Sequence, residues 1–351
     1  MKKLLSLLTT AALSAALLAG CSSAPGTEAT PTPEAATPSP AAESTAPAAD
    51  PVDVNVMALK GPTAMGMVEF MDQSDAGALT DNSYSFTIAA TVDEVTPALA
   101  QGTADIAAVP ANLASVLYSK PDLGVQVLAI NTLGVLYIVE SGDTVNSVAD
   151  LKGKTIYASG KGATPEYALN YILTQNGIDP AADVTIEWKS EHAECLAALT
   201  AGENAIAMLP QPFVTTAQTK SDNIRVALDL TEEWDKLQTT SETPSALITG
   251  VVVARTDFIA EHPQAVSAFL DHYKESVDFV NSDVPAAAEL VGKYDIVPAA
   301  VAAKAIPACN IVFIEGSEMK EKLSGYLSVL LEQEPKSVGG ALPGDDFYYS
   351  R

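Results

Sequence analysis

Two glycine-bearing turns carry the residues best suited to hold a small molecule. Lys60-Gly61-Pro62-Thr63 follows one apolar run, and Lys161-Gly162-Ala163-Thr164 follows another about 100 residues later. Glycine lets backbone N–H groups approach a ligand. Thr164 ahead of Pro165 reads as a helix N-cap with proline in the first turn. Two helix N-termini facing one cleft favour a negative or electron-rich group, which makes Gly61, Thr63, Gly162 and Thr164 candidate ligand contacts. Lys60 and Lys161 are candidates for neutralising an anion, although lysines in surface turns usually point into water. Asn112 and Gln211 stand just past Pro110 and Pro210, and each offers both a donor and an acceptor. Tyr84, Tyr157, Trp188 and Phe213 offer stacking faces, against the more ordinary role of aromatics as core.

Other chemistry finds little footing. Arginine is confined to Arg225, Arg255 and Arg351. A carboxylate or sulfonate clamp usually wants guanidinium, so the composition leans toward a ligand that is neutral, zwitterionic or held by backbone N–H groups. Glu191-His192-Ala193-Glu194-Cys195 contains metal-capable side chains, yet it aligns with Asp93-Glu94 in the earlier repeat, and a charged first helical turn is the simpler account. No metal and no cofactor is expected. His262 and His272 have no evident partners. Nucleophile elbows, P-loops and zinc signatures are absent from the sequence.

The elements that position these residues occur twice. Val54–Leu59 and Lys154–Ala158 are apolar strand patterns ahead of the two turns. Ser85–Thr91 and Asp183–Lys189 supply a second strand in each copy. Helices ending at Gly102 and Gly202 follow, where glycine suits a left-handed C-cap. Ile106–Val109 and Ile206–Leu209 are near-continuous apolar runs, as in buried parallel strands. Alternating strands and helices predict an α/β sheet per copy, with a cleft between the copies that is favoured for ligands. Val125–Val139 and Ala246–Ala254 are predicted to run between the two lobes as a double hinge. Pro263 opens a helix on which Val266, Phe269, Leu270, Tyr273, Val277 and Val280 recur at helical spacing, and the C-terminal part is expected to be helical. A disulfide between Cys195 and Cys309 would freeze such a hinge, so both are expected to be free, buried thiols.

The N-terminal region reads differently. Lys2 and Lys3 precede an apolar run from Leu4 to Leu18, and small residues lead into Cys21. This is a secretory signal pattern over residues 1–20, shorter than the roughly 20 apolar residues of a spanning helix. Residues 22–50 lack aromatics, lysine and arginine and are rich in proline, which predicts an extended spacer. Nineteen basic against 44 acidic residues give a formal charge of −25, which argues against nucleic acid as a partner.

Leu18-Ala19-Gly20-Cys21 resembles the bacterial lipobox. Leu59-Lys60-Gly61-Pro62-Thr63, the run Ala98-Leu99-Ala100-Gln101-Gly102 to Pro110, Asp150-Leu151-Lys152-Gly153-Lys154 and Thr164-Pro165-Glu166 resemble ABC-importer solute-binding lipoproteins of the type II periplasmic-binding-protein fold. The group is the one that includes nitrate, sulfonate, taurine and thiamine-pyrimidine binding proteins. The resemblance implies two Rossmann-like α/β lobes with a two-strand hinge, residues 51–138 with 246–351 forming the first and 139–245 the second. It also implies capture of a small organic or anionic solute, delivery to a permease and its ATPase, lipidation at Cys21, a monomeric state, and no enzymatic activity. The expected address is the extracytoplasmic face of the cell membrane, on a Gram-positive-type surface. A ligand sensor feeding a membrane receptor is the alternative, and a pyrimidine-synthase-like enzyme a more distant one.

Overall fold

The computed structural model describes residues 50–239 and 245–351; the predicted signal, Cys21 and all but the end of the spacer lie outside them. Eleven strands are found among the described residues: β1 (Asp53–Leu59), β2 (Ser83–Ala89), β3 (Ile106–Pro110), β4 (Val125–Leu133), β5 (Leu136–Ser141), β6 (Thr155–Ser159), β7 (Thr185–Lys189), β8 (Ile206–Pro210), β9 (Ile224–Asp229), β10 (Ile248–Arg255) and β11 (Ile311–Ile314). They form two sheets, ordered β11-β4-β10-β3-β1-β2 and β7-β6-β8-β5-β9.

The duplication read from the sequence is visible in the pairing. β1 lies parallel between β2 and β3, and β6 lies parallel between β7 and β8. β3 and β8 are buried along Ile106–Val109 and Ile206–Leu209, because helices cover both faces and leave no polar alternation. Each sheet then receives one antiparallel strand from across the junction: β10 inserts between β3 and β4, and β5 between β8 and β9. Gly250 of β10 faces Pro110, and Leu136 of β5 faces Pro210, so the two inserted strands occupy equivalent places.

Several expectations need correcting. The stretch 125–139 is two strands in different sheets, with the chain crossing at Gly134-Val135, just before the expected boundary at 138. β10 lies wholly in the first sheet, so its crossing precedes it. β9 and β11 were not foreseen, and β11 interrupts a C-terminal part expected to be all helical. Gly102 is left-handed (φ 71°), but Gly202 is extended (φ −106°), and Asn204 takes the left-handed turn (φ 54°). Gly202 serves instead as space, since a Cβ there would sit 2.9 Å from that of Ala205.

The helix Pro263–Ser282 buries the six apolar residues named for it, against one face of the first sheet. The opposite face shares a continuous apolar core with the second lobe. The helix Gly316–Gln333 runs along that shared core: Tyr326 is fully buried and its ring lies 5.8 Å from that of Trp234. Cys195 and Cys309 are both buried and unbridged. Burial raises the pKa of each, that of Cys309 to about 12. Among the described residues no helix is long and apolar enough to cross a membrane.

Candidate functional site

A cavity of about 590 Å³ opens between the lobes, at the carboxyl ends of β1, β3 and β8, where open α/β sheets place their ligands. Its wall is built from equivalent positions of the two copies: Thr63 and Thr164, Pro110 and Pro210, and Val135 and Thr249, each one residue ahead of the position that faces a strand-end proline. Of the residues singled out in the sequence as contacts, Lys60, Gly61, Thr63, Asn112, Thr164 and Gln211 line it, as does Phe213 among the stacking candidates. Lys161 and Gly162 do not. Lys161 lines a separate groove with Glu166 and Trp188, and the Gly162 N–H donates to Glu166 Oε2 at 2.6 Å. A turn that looks like an anion cradle thus already holds a carboxylate of its own helix.

Hydrogen bonding assigns the lining residues distinct roles. Thr63 Oγ1 donates back to the Leu59 carbonyl at 2.8 Å. Its methyl group rests against Gly250, where a Cβ would come within 2.5 Å of both Thr63 Cγ2 and Asn131 Oδ1. Thr164 is not the N-cap expected of it. The helix Thr164–Gln175 is preceded by Ala163, and the Thr164 hydroxyl bridges the lobes, accepting from the Tyr326 hydroxyl at 3.1 Å and donating toward Asn112 Oδ1 at 3.5 Å. Asn112 Nδ2 donates to the Ser337 carbonyl at 3.3 Å, so both ends of that amide are engaged. Gln211 is held through Oε1 by the Thr215 N–H and hydroxyl, and its Nε2 has no partner among the described residues. Lys60 Nζ pairs with the exposed Asp295 at 3.3 Å, an ion pair of the weak surface kind. Thr249 Oγ1 is buried without a hydrogen bond among the described residues.

Two lining residues were misjudged or undervalued in the sequence. His192, set aside as part of a charged helix start, faces the cavity with Phe213. Their ring centroids lie 5.3 Å apart. His192 Nδ1 meets Ser159 Oγ at 2.5 Å, and burial holds the imidazole below its ordinary pKa. The neighbouring Glu194 does behave as a helix-start carboxylate, accepting from the Ser190 N–H at 2.8 Å, as Glu94 does from Thr91. Among the described residues, no group of three or more His, Cys, Asp or Glu side chains is placed to hold a metal ion. Tyr84 packs in the first lobe against Phe70, and Trp188 and Tyr157 lie outside the cavity wall. The signal available for His192 was its position: it stands 100 residues after Val92, which also lines the cavity.

Two lobes, each with a 2-1-3-n-4 strand order and a strand exchanged across the junction, define a type II solute-binding protein. The chain belongs to the family described as ABC transporter, phosphonate, periplasmic substrate-binding protein, whose model matches residues 78–303. No curated protein matches it. Among solved structures, it resembles an ABC transporter protein from Parabacteroides distasonis at 22% identity and TM-score 0.71, over 85% of this chain and 99% of that one. It also resembles the periplasmic aliphatic sulphonate binding protein SsuA from Escherichia coli (16%, TM-score 0.65, 83% and 96%). A third is the alkanesulfonate-binding protein SsuA from Xanthomonas axonopodis pv. citri bound to MOPS (16%, TM-score 0.60, 86% and 98%). At these identities the likeness is one of fold. The chain is an extracytoplasmic substrate-binding protein that captures a small solute for an ABC importer, as the sequence resemblance implied.

Proposed function

We propose that the solute carries little net charge and presents a mainly apolar body with a few hydrogen-bonding groups. The observation that supports this is the cavity wall. It contains prolines, valines, Leu113 and Phe213 but no arginine, its one lysine stands at the exposed rim in a weak ion pair with Asp295, and the glycine turn of the second lobe is occupied by Glu166. Gly61, Thr63, Asn112, Thr164 and Gln211 contact the ligand, with the Gln211 amide nitrogen as the polar group awaiting a partner. Lys60 lies at the edge of the site.

A thermal-shift panel on the protein from residue 51, refolded to remove carried-over ligand, tests the reading. Neutral heterocycles and amides should raise Tm by several degrees at 100 times Kd, since that occupancy adds about 2.7 kcal/mol. A shift confined to nitrate, or to ethanesulfonate or methylphosphonate, the chemistry named for the two sulfonate-binding relatives and for the family, would sink it.

The protein acts as a monomer, held at the outer face of the cell membrane of a Gram-positive-type cell by lipid on Cys21 and delivering its solute to a permease driven by an ATPase. One acyl chain anchors only marginally, whereas two or more hold stably. Cys21→Ser should move the protein from the membrane fraction to the medium in a fractionation blot. Unchanged membrane retention would refute the lipid anchor.

A further inference from the structure

The duplication makes the two walls of the cavity comparable position by position, and at two positions they differ in one direction. The first lobe presents Val92 and Leu113, and the second presents His192 and Phe213 at an offset of 100 residues. Val92 and His192 each begin the equivalent helix of their copy, Val92–Gln101 and His192–Ala201. Leu113 and Phe213 each stand three residues beyond the proline that ends β3 or β8. Aliphatic residues satisfy these positions in one lobe, so the fold itself does not call for rings there. The second lobe has two, in contact with each other and inclined at 51°.

We infer that His192 and Phe213 are the specificity element of the site, selecting a planar, neutral ring that carries a hydrogen-bonding group at its edge. The inference rests on the low-charge reading of the cavity and names the class within it. Two aromatic side chains at this separation form a corner into which a third ring packs face-on to one and edge-on to the other, the arrangements that aromatic quadrupoles favour. The hydroxyl of Ser159, a residue only 2% exposed, commits Nδ1 of His192. Nε2 makes no hydrogen bond among the described residues and is the nitrogen left for the edge of the ligand. Val92, 37% exposed, covers the ring from the first lobe without asking anything of its polarity. Recognition belongs to the second lobe and cover to the first.

Matched ligands of equal polarity and unequal flatness test this. Isothermal titration compares uracil with 5,6-dihydrouracil, and benzamide with cyclohexanecarboxamide. Each is measured on the wild type, on Phe213→Leu, and on the double variant His192→Val with Phe213→Leu, which gives the second lobe the residues of the first. The expected result is that at least one flat compound binds the wild type at least tenfold more tightly than its puckered counterpart, and that the double variant erases the preference while keeping its melting temperature within a few degrees. If the double variant fails to fold, Phe213→Leu alone should reduce the preference severalfold. Equal affinity for flat and puckered partners, no binding of either flat compound, or a preference that survives the substitutions would each overturn the inference. Binding of puckered neutral compounds as tightly as flat ones leaves the low-charge reading intact, whereas binding of the small anions alone removes that reading as well.

Discussion

Arg225→Ala is expected to cost about 3–5 kcal/mol of folding stability at neutral pH, the range for removing one partner of a buried ion pair. The partner is Glu140 on β5, whose side chain is fully buried while that of Arg225 is one-third exposed. Arg225 on β9 donates to Glu140 Oε2 at 3.0 Å and to the carbonyls of Gly142 and Val145. The substitution leaves the carboxylate in place with only the Thr144 N–H, the Thr144 hydroxyl and the Val145 N–H to hold it. Burial works to raise the Glu140 pKa, but these hydrogen bonds and the guanidinium charge outweigh it and hold the group below its ordinary value. A carboxyl with a depressed folded pKa contributes stability that is full above its unfolded pKa of about 4.3 and is lost as pH falls through the folded value. The gap between wild type and variant should therefore be full above roughly pH 5 and close at more acidic pH. Urea unfolding at pH 7 and pH 3.5 measures it. A gap that does not change with pH would mean that Arg225 acts by packing alone. Arg225→Lys should recover only part of the loss, because an ammonium cannot span the carboxylate and two carbonyls as the planar fork does.

Trp234→Ala should cost a comparable amount, about 3–5 kcal/mol, and should also weaken ligand binding. Trp234 is fully buried, its ring stands 4.4 Å from that of Tyr171 and 5.8 Å from that of Tyr326, and its Nε1–H donates to Ser245 Oγ at 3.1 Å. Truncation leaves a void behind Tyr326 and removes the donor to Ser245 Oγ, which keeps only its own bond to Gln238 Oε1. Tyr326 is the residue whose hydroxyl fixes Thr164 on the cavity wall, so the damage reaches the site without touching a ligand. Tyr326→Phe separates the two effects: it keeps the ring packing and loses one hydrogen bond, worth about 1 kcal/mol. Chemical unfolding with titration of any ligand from the panel distinguishes them. Full ligand affinity in a folded Trp234→Ala protein would show that the site does not depend on this support.

How much of this was legible depended on whether a feature repeats. The two copies of strand, turn, helix and strand stood out because buried parallel strands must be apolar throughout and because helix ends are punctuated by glycine. β9 and β11 went unseen for the opposite reason. Ile224–Asp229 mixes Arg225 and Asp229 into a short half-buried edge, and Ile311–Ile314 is a four-residue edge strand beside helices. Six of the eight proposed contacts lie on the cavity, because the carboxyl ends of strands are fixed by topology. Lys161 and Gly162 lie elsewhere because Glu166, one turn into the helix, already satisfies that turn. Thr164 was read as a local cap, whereas its hydroxyl partners, Asn112 and Tyr326, are remote in sequence and invisible to any local rule. His192 was hidden by its neighbours: flanked by Glu191 and Glu194, it looked like one more charge at a helix start.

The exchange of β5 and β10 has a consequence for the order in which the molecule can be assembled. As the chain emerges from the ribosome, β1 to β4 appear first, yet β3 and β4 do not pair with each other; the strand that joins them starts at Ile248. The second sheet, by contrast, has all its strands once β9 is made, because β5 precedes the rest of it. The half of the molecule synthesised first is thus completed last, and it waits with two open edges until the other half has been laid down. The first repeat is not a free-standing module. A gene cut between the two repeats would yield one fragment without β10 and β11 and another carrying both of these strands of the first sheet, and the first sheet would be completed only when the two found each other.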